Sequence, residues 1–230
     1  MRMLMALLEH GHSPRAIKER LDLEHQPSYL RDAILGGIDG CVTTFAVVAS
    51  VAGAGLPGIV ALALGVASLI ADGFSMGVSN YQGVKSDRDA VNRARAMENR
   101  HIRQVSDGER EEVRQIFARK GFDGDILEEI VERISEDEAL WVDTMLREEH
   151  GLDLRGISPL KAAMWTFFAF IIVGAIPLFP FLLASLGLQV AFMTSIAMTG
   201  VTFFGIGFAK GVIVGEKRWR SGLETLLMGG

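Results

Sequence analysis

Residues 33–53 read AILGGIDGCVTTFAVVASVAG, and residues 59–83 read IVALALGVASLIADGFSMGVSNYQG. Both stretches are apolar and rich in glycine, and the short turn AGLPG at 54–58 separates them. Because about 20 residues of α-helix cross the hydrocarbon core of a bilayer, each stretch is long enough to span a membrane. Together they predict a transmembrane helical hairpin.

A second pair of apolar stretches follows later in the chain, at residues 160–186 and 189–215. Pro177 and Pro180 lie near the end of the first stretch. They predict a kink or an early end of that helix, because proline cannot donate a backbone hydrogen bond. The sequence therefore predicts an all-α, polytopic membrane protein with four clear spans.

The charged residues are concentrated between the two hairpins. Residues 84–158 contain 19 of the 28 acidic and 13 of the 23 basic side chains, a net charge of −6, whereas the rest of the chain carries +1. Such a segment belongs in water rather than in lipid. Its apolar residues recur at helical spacing, which predicts three helices at roughly 86–104, 107–120 and 124–150.

The second of these helices has a candidate start signal. Ser106 followed three residues later by Glu109 fits a capping box, in which each side chain bonds the backbone amide of the other residue. Three helices of this size bury little apolar surface alone. We therefore expect them to be continuous with the second and third spans or packed against a second copy of the chain.

Basic residues near the ends of the spans predict the orientation. They precede the first span, follow the second and follow the fourth, whereas the two hairpin turns contain none. The residues concerned are Lys18, Arg20, Arg31, Lys85, Arg88, Lys217, Arg218 and Arg220. The positive-inside rule therefore predicts an integral protein of the inner or plasma membrane. Its N-terminus and residues 84–158 would lie in the cytoplasm.

The N-terminal segment 1–31 mixes apolar and charged residues. Its apolar residues at helical spacing are Leu4, Leu7, Leu8, Ile17 and Leu21. They favour a short amphipathic helix at the membrane surface, interrupted at Ser13-Pro14. A disordered tail is the alternative.

Two acidic residues, Asp39 and Asp72, lie inside the first and second spans. An ionisable group at the centre of a bilayer costs about 2.5–3.5 kcal/mol on insertion scales, so it marks a polar path or a partner. Lys210 near the end of the fourth span is the one intramembrane cation that could pair with them. We therefore favour a functional role over buried structural acids. Met76, one helical turn after Asp72, would line the same narrow path.

The acidic segment offers pairs of potential metal ligands at helical spacing. The pairs are Glu98 with His101, Glu109 with Glu112, and Met145 with Glu149. Three helices that each present such a pair can converge on one cation. Carboxylate and imidazole ligands suit Fe²⁺, Mn²⁺ and Zn²⁺, and a thioether adds softness that Mg²⁺ and Ca²⁺ do not favour. A solvated acidic face remains the alternative on spacing alone.

Three motifs together resemble the vacuolar iron transporter family. They are RDAILGGIDG at 31–40, ADGFSMGVSNY at 71–81 and WRSGLE at 219–224, and the resemblance covers residues 30–230 in the family's order. It implies a homodimeric membrane transporter, not an enzyme, that moves Fe²⁺ and Mn²⁺ out of the cytosol by proton antiport. It implies no prosthetic group and no nucleic-acid partner.

The resemblance also implies roles for individual residues. The translocation path falls on Asp39 and Met76, with Asn80 where relatives often have an acid and Asp72 able to supply that charge. The metal ligands of the cytoplasmic domain fall on Glu98, Glu109, Glu112, Met145 and Glu149, and His101 stands where many relatives have glutamate. A cation would pass from this domain to the path and exchange there against protons.

The resemblance further implies a fifth span after Glu224. The predicted organisation is an N-terminal segment at 1–31, spans one and two at 32–83, a helical metal-binding domain at 84–158, spans three and four at 159–216, and the beginning of an apparently truncated fifth span at 217–230. Two alternatives stay open. One is a membrane-anchored helical scaffold, and the other is a di-iron-type protein, which would need a second Glu-x-x-His motif.

Overall fold

The computed structural model describes residues 11–24, 27–183 and 187–229, and these residues form only helices and their connections. The helices are α1 Pro14–Glu24, α2 Leu30–Gly53, α3 Gly58–Gln104, α4 Ser106–Arg119, α5 Gly124–Glu136, α6 Glu138–Glu148, α7 Pro159–Gly174, a 3-10 helix Ile176–Leu182, α8 Leu188–Val214 and α9 Arg218–Gly229. Within the described ranges, four stretches are long and apolar enough to cross a membrane: α2, α3, Pro159–Leu182 and α8. The predicted all-α polytopic fold is confirmed.

The N-terminal helix α1 begins at the predicted interruption. The Ser13 hydroxyl oxygen accepts a hydrogen bond from the Ala16 amide at 3.2 Å, as an N-terminal cap does. The other predicted apolar positions, Leu4, Leu7 and Leu8, lie outside the described residues.

The chain divides into two compact units. One, the membrane unit, comprises residues 29–85 and 158–230; the other, the acidic unit, comprises residues 86–157 with the described residues before Tyr29. Helix α3 contributes to both, so the helix predicted at 86–104 is the continuation of the second span. The expected continuity between insert and span is confirmed at this end.

In the membrane unit, α2 packs against α7 through glycines. A β-carbon added at Gly36 would lie 2.2 Å from the carbonyl oxygen of Thr166, and one at Gly40 would lie 2.3 Å from that of Phe170. Only residues without a side chain allow two helix backbones to approach so closely. The glycines of the first span are therefore packing positions.

Changing Gly40 to Ala is expected to destabilise the protein by about 1–3 kcal/mol, because the added methyl group must push α7 away. The matched control is Gly205→Ala in α8, since a β-carbon there meets nothing within 4 Å. Thermal unfolding in detergent, followed by size-exclusion chromatography, measures both variants. Equal unfolding temperatures for the two variants would contradict the tight α2–α7 contact.

The prolines of the third span end its α-helix, as predicted. Helix α7 stops at Gly174, and the chain continues as the 3-10 helix Ile176–Leu182, which contains Pro177 and Pro180. The Ser195 hydroxyl donates to the Pro177 carbonyl oxygen at 2.8 Å. This bond supplies a partner for a backbone group at the irregular turn.

The last helix, α9, lies antiparallel beside α8. Gly215 adopts a left-handed backbone with φ of +78°, which reverses the chain. A β-carbon at Gly207 would lie 2.4 Å from the Ser221 carbonyl oxygen, and one at Gly229 would lie 2.9 Å from the Phe203 ring. Residues 218–229 therefore pack along the second half of α8 from their beginning to their end.

The acidic unit has an apolar core of its own. The buried residues of this core come from the four helices α3, α4, α5 and α6. They are Ile102, Val113, Leu127, Val131, Ile134, Trp141, Val142, Met145 and Leu146. The prediction of one helix at 124–150 is wrong, because the structure has two helices there, α5 and α6, separated at Asp137. Asp137 has an extended backbone, and its carboxylate accepts hydrogen bonds from the amides of Ala139 and Leu140, which starts a new helix.

The predicted capping box is also wrong. Ser106 is the first helical residue of α4, Val105 takes the cap position, and no side chain caps the helix. Glu109 is buried and pairs with His101, so its carboxylate is not free to bond an amide at the helix start. Glu109 thus belongs to a different cluster, described next.

Candidate metal-binding and translocation sites

The first candidate site lies where the end of α3 meets the start of α4. Glu98 and His101 are one turn apart on α3, and Glu109 reaches them from α4. One ligand atom of each residue lies within 4.8 Å of the other two, and His101 Nδ1 is 3.3 Å from a carboxylate oxygen of Glu109. Two carboxylates and one imidazole at this spacing can hold one transition-metal ion.

A second group shares Glu98 with the first. It consists of Glu98, Glu149 and His150, again with ligand atoms within 4.8 Å of one another. His150 Nε2 is 2.9 Å from Glu98 Oε1 and 3.7 Å from Glu149 Oε2. The carboxylate of Glu98 therefore stands between two imidazoles, those of His101 and His150.

Two carboxylate oxygens in this cluster lack a hydrogen-bond partner within the described part of the chain. They are Oε2 of Glu98 and Oε2 of Glu109, and the two residues are only 1% and 3% exposed. A buried carboxylate oxygen without a partner is costly. A cation bound between the carboxylates would remove that cost, so the arrangement fits a metal ion.

The pKa values in the cluster respond to its crowded negative charge. Burial, followed by the charges of Glu112 and Glu98, raises the pKa of Glu109 to about 7, and the nearby His101 opposes the shift. Burial is also the main cause that raises the pKa of Glu149. A proton on Glu109 would be shared with Glu98, whereas with both ionised neither Oε2 has a partner. A proton and a metal ion would therefore compete for the same oxygens.

Without metal, the acidic unit is expected to lose stability as the pH rises from about 5 to about 8. Glu109, with its pKa raised from 4.5 to about 7, binds a proton more tightly in the folded than in the unfolded state. The proton on Glu109 therefore makes its full contribution to the free energy of unfolding below pH 4.5, and this contribution is lost as the pH rises through about 7. The hydrogen bond to Glu98 raises the pKa of His150, which acts in the same direction.

Fluorescence of Trp141, which is buried in the core of the acidic unit, reports this unfolding. Trp165 and Trp219 lie in the membrane unit, so a protein with both changed to Phe isolates the signal. Thermal scans in a chelating buffer at several pH values give the unfolding temperature. An unfolding temperature that rises between pH 5 and pH 8 would contradict the proposed charge crowding.

The predicted metal-ligand residues are only partly brought together. Glu98, His101, Glu109 and Glu149 belong to the two groups. Glu112 is exposed and outside both groups, although its charge acts on Glu109 and Glu149. Met145 is fully buried in the apolar core of the acidic unit.

Sequence reasoning missed His150. On a helix through residue 150, His150 would point about 100° away from Glu149. In the structure α6 ends at Glu148, and the His150 amide bonds the Met145 carbonyl before Gly151 turns the chain with φ of +63°. This turn carries the imidazole to Glu98. A histidine directly before a helix-ending glycine was the signal in the sequence.

The predicted path residues lie on α2 and α3 of the membrane unit. Asp39 and Met76 are half-buried, and Asp72 is exposed and accepts a hydrogen bond from the Ser68 hydroxyl. Asp39 and Asp72 lie within electrostatic range of each other, because the charge of Asp72 acts on the Asp39 carboxyl group. The structure thus brings two of the predicted acids together.

Asn80, the fourth predicted path residue, is held by two partners. Its Nδ2 donates to Asp32 Oδ1 at 2.8 Å and to Thr166 Oγ1 at 2.7 Å. The Thr166 hydroxyl in turn donates to the Asp32 carbonyl oxygen at 3.3 Å. Asp32 and Thr166 are both buried, and sequence reasoning gave neither a role.

Asp32, Asp39, Asp72, Met76 and Asn80 lie at two levels along α2 and α3, and we call this set of residues the polar stripe. Asp32 and Asn80 are paired at one level, and Asp39 and Asp72 lie within electrostatic range of each other at another. Asp39 follows Asp32 by seven residues on α2, about 10 Å of helical rise, and Asn80 follows Asp72 by eight residues on α3, about 12 Å. Met76 lies midway between Asp72 and Asn80 on the same helix face.

The chain is similar to known proteins over most of its length. A sequence profile of the VIT family matches residues 30–230. Vacuolar iron transporter 1 of Tulipa gesneriana is 30% identical over 223 residues, which cover 94% of this chain and 90% of that protein. Vacuolar iron transporter 1 of Arabidopsis thaliana is 32% identical over 201 residues, 87% of this chain and 80% of that protein. The vacuolar iron transporter of Toxoplasma gondii is 31% identical over 212 residues, 88% of this chain and 70% of that protein.

Proposed function

The chain belongs to the VIT family, and from this premise we propose that it moves Fe²⁺ and Mn²⁺ out of the cytosol in exchange for protons. Family membership makes it a metal-ion transporter and not an enzyme, and the four apolar helices found among the described residues make it an integral membrane protein. The choice of ions, the proton coupling, the direction of flux and the membrane are the proposed part.

The acidic unit is proposed to collect the metal on the cytoplasmic side. The observation that carries this role is the pair of buried oxygens on Glu98 and Glu109 that lack a hydrogen-bond partner among the described residues, close to the imidazole of His101. A mixed set of carboxylates and imidazoles favours Fe²⁺, Mn²⁺ and Zn²⁺ over Mg²⁺ and Ca²⁺. Glu112 would add negative charge at the rim, and Met145 would have to turn out of the core to act as a ligand.

The polar stripe of the membrane unit is proposed to be the translocation path. Carboxylates such as Asp39 and Asp72 are costly in lipid when they carry an uncompensated charge. A proton or a metal ion can neutralise them in turn, which couples the two flows. In a single chain Asp72 is exposed, so a second copy facing the stripe would shield it from lipid, which supports a homodimer.

Uptake of Mn²⁺ and of Fe²⁺ kept reduced by ascorbate into proteoliposomes tests the proposal. For protein whose acidic unit faces the outside of the vesicle, a lumen of lower pH than the outside is expected to drive uptake. Dissipating this pH gradient with a protonophore is expected to stop the uptake. Metal uptake that is indifferent to the gradient would contradict antiport. Complete absence of uptake would favour the scaffold alternative.

A further inference from the structure

We infer that Asp32 and Thr166 are positioning residues that hold the side-chain amide of Asn80 in one orientation, so that its carbonyl oxygen is presented to the passing cation. The inference rests on the proposed function, because it takes Asn80 to lie on the cation path. It concerns a hydrogen-bonded triad that joins α2, α3 and α7, in which Asp32 and Thr166 are buried and Asn80 is half-buried.

The chemistry of the triad allows only one orientation of the amide. An ionised Asp32 carboxylate only accepts hydrogen bonds, so Asn80 must turn its NH₂ group towards it. The Thr166 hydroxyl has one proton, which it donates to the Asp32 carbonyl oxygen, so it accepts from Asn80. A flipped amide would instead turn its single oxygen towards two acceptors, the carboxylate oxygen of Asp32 and the hydroxyl oxygen of Thr166.

Both hydrogens of the Asn80 amide are thereby used. The group left without a partner in the triad is its Oδ1, a neutral carbonyl oxygen with two lone pairs. Oxygen ligands of this kind suit Mn²⁺, and also Fe²⁺ in a mixed site. Asn80 lies one helical turn, about 6 Å, from Met76 on α3. A cation leaving Asn80 would therefore meet the thioether next.

The burial of the two partners of Asn80 explains why the orientation persists. Thr166 is fully buried, and Asp32 is 8% exposed. Water therefore does not reach Asp32 or Thr166 to replace a lost hydrogen bond. If one of these bonds were removed, the Asn80 amide would rotate or keep an unpaired N–H group. The close approach of Gly36 to the Thr166 backbone keeps the hydroxyl at a fixed distance from α2. The glycine contact and the polar triad thus act at the same place.

The test is a double-mutant cycle on Mn²⁺ uptake by the full-length protein in proteoliposomes. Thr166→Val removes the hydroxyl while keeping the shape, and is expected to raise the KM for Mn²⁺ about tenfold, the size of one net hydrogen bond, with a smaller change in maximal rate. Thr166→Ser keeps the hydroxyl and is expected to restore KM. In the Asn80→Ala background, Thr166→Val is expected to have no further effect on KM. Asp32→Ala provides a second, independent cycle with Asn80→Ala.

Thr202→Val is the matched control, because the Thr202 hydroxyl donates only to the Met198 carbonyl oxygen at 2.7 Å within α8. Its KM is expected to equal that of the wild type. Additive effects of Thr166→Val and Asn80→Ala, or a Thr166→Ser variant as impaired as Thr166→Val, would overturn the positioning role while leaving the transporter intact. An Asn80→Ala variant with wild-type KM would overturn it too. If the wild type itself takes up no metal ion, the proposed function fails and the inference fails with it.

Discussion

The Asp39→Ala variant is expected to take up no Fe²⁺ or Mn²⁺, a loss of at least about 100-fold, while still folding in the membrane. Asp39 and Asp72 lie at the same level of the polar stripe, within electrostatic range of each other. Without the Asp39 carboxylate, only Asp72 would remain at this level to neutralise a divalent ion. Loss of a direct ligand should exceed the 10–100-fold that even outer-shell changes cost at metal sites. Folding should survive, because Asp39 is half-buried and has no ion-pair partner within the described part of the chain, so its removal leaves no opposite charge uncompensated.

Initial rates of metal uptake into proteoliposomes measure this effect, with the amount of monodisperse protein as the check on folding. Ser50→Ala is the control in the same helix, because the Ser50 hydroxyl donates only to the Ala46 carbonyl oxygen one turn earlier. It is expected to transport as the wild type does. Wild-type rates in Asp39→Ala would mean that this acid is structural and that the path runs elsewhere.

The second large effect is expected from Glu98→Gln, which should weaken metal binding by the purified protein at least about 100-fold. Glu98 belongs to both ligand groups, so its loss disables both, whereas Glu149→Gln disables one. The same change should raise the stability of the metal-free protein, because it removes one of two crowded buried charges and replaces the unpartnered Oε2 by an NH₂ group that can donate to Glu109, while the remaining oxygen can still accept from His150. Opposite effects on binding and on metal-free stability are characteristic of a site built to hold a cation.

Calorimetric titration with Mn²⁺ gives the affinity, and the Trp141 unfolding signal gives the stability with and without metal. Glu128→Gln is the control: Glu128 is exposed and bonded to Arg114, away from both groups. It should change neither the affinity nor the gain in stability on adding Mn²⁺. An unchanged Mn²⁺ affinity in Glu98→Gln would remove the basis for the acidic unit as a metal collector.

The fold was predictable because its main signals are long and local. Apolar stretches of more than 20 residues mark the spans at 33–53 and 59–83 whatever they pack against, and Pro177 marks the end of α7 by its covalent structure alone. The break at Asp137 was harder, since the apolar positions on both sides keep a helical spacing. Only the carboxylate turned back onto the amides of Ala139 and Leu140 distinguishes a new helix from a continued one.

The candidate site was predictable where one helix face carries it. Glu98 and His101 share a face by spacing, and Asp72 and Met76 do so too. Contacts between elements were not predictable: Asp32 meets Asn80 across 48 positions of the chain, and Glu98 meets His150 across 52. Glu109 shows how one residue fits two patterns. Its spacing from Ser106 suits a helix cap, but its pairing with His101 in a buried place decides the outcome.

The shared carboxylate of Glu98 has a consequence for how ions would fill and leave the acidic unit. Two cations, one in each group, would share the single negative charge of Glu98 and would repel each other at short range. The first ion would therefore bind tightly and the second loosely, so the filling curve would rise in two unequal steps rather than one. A loosely held ion is the one that departs when a neighbouring acceptor is free. The unit would thus retain one ion while it releases the next, over a broad range of metal-ion concentration.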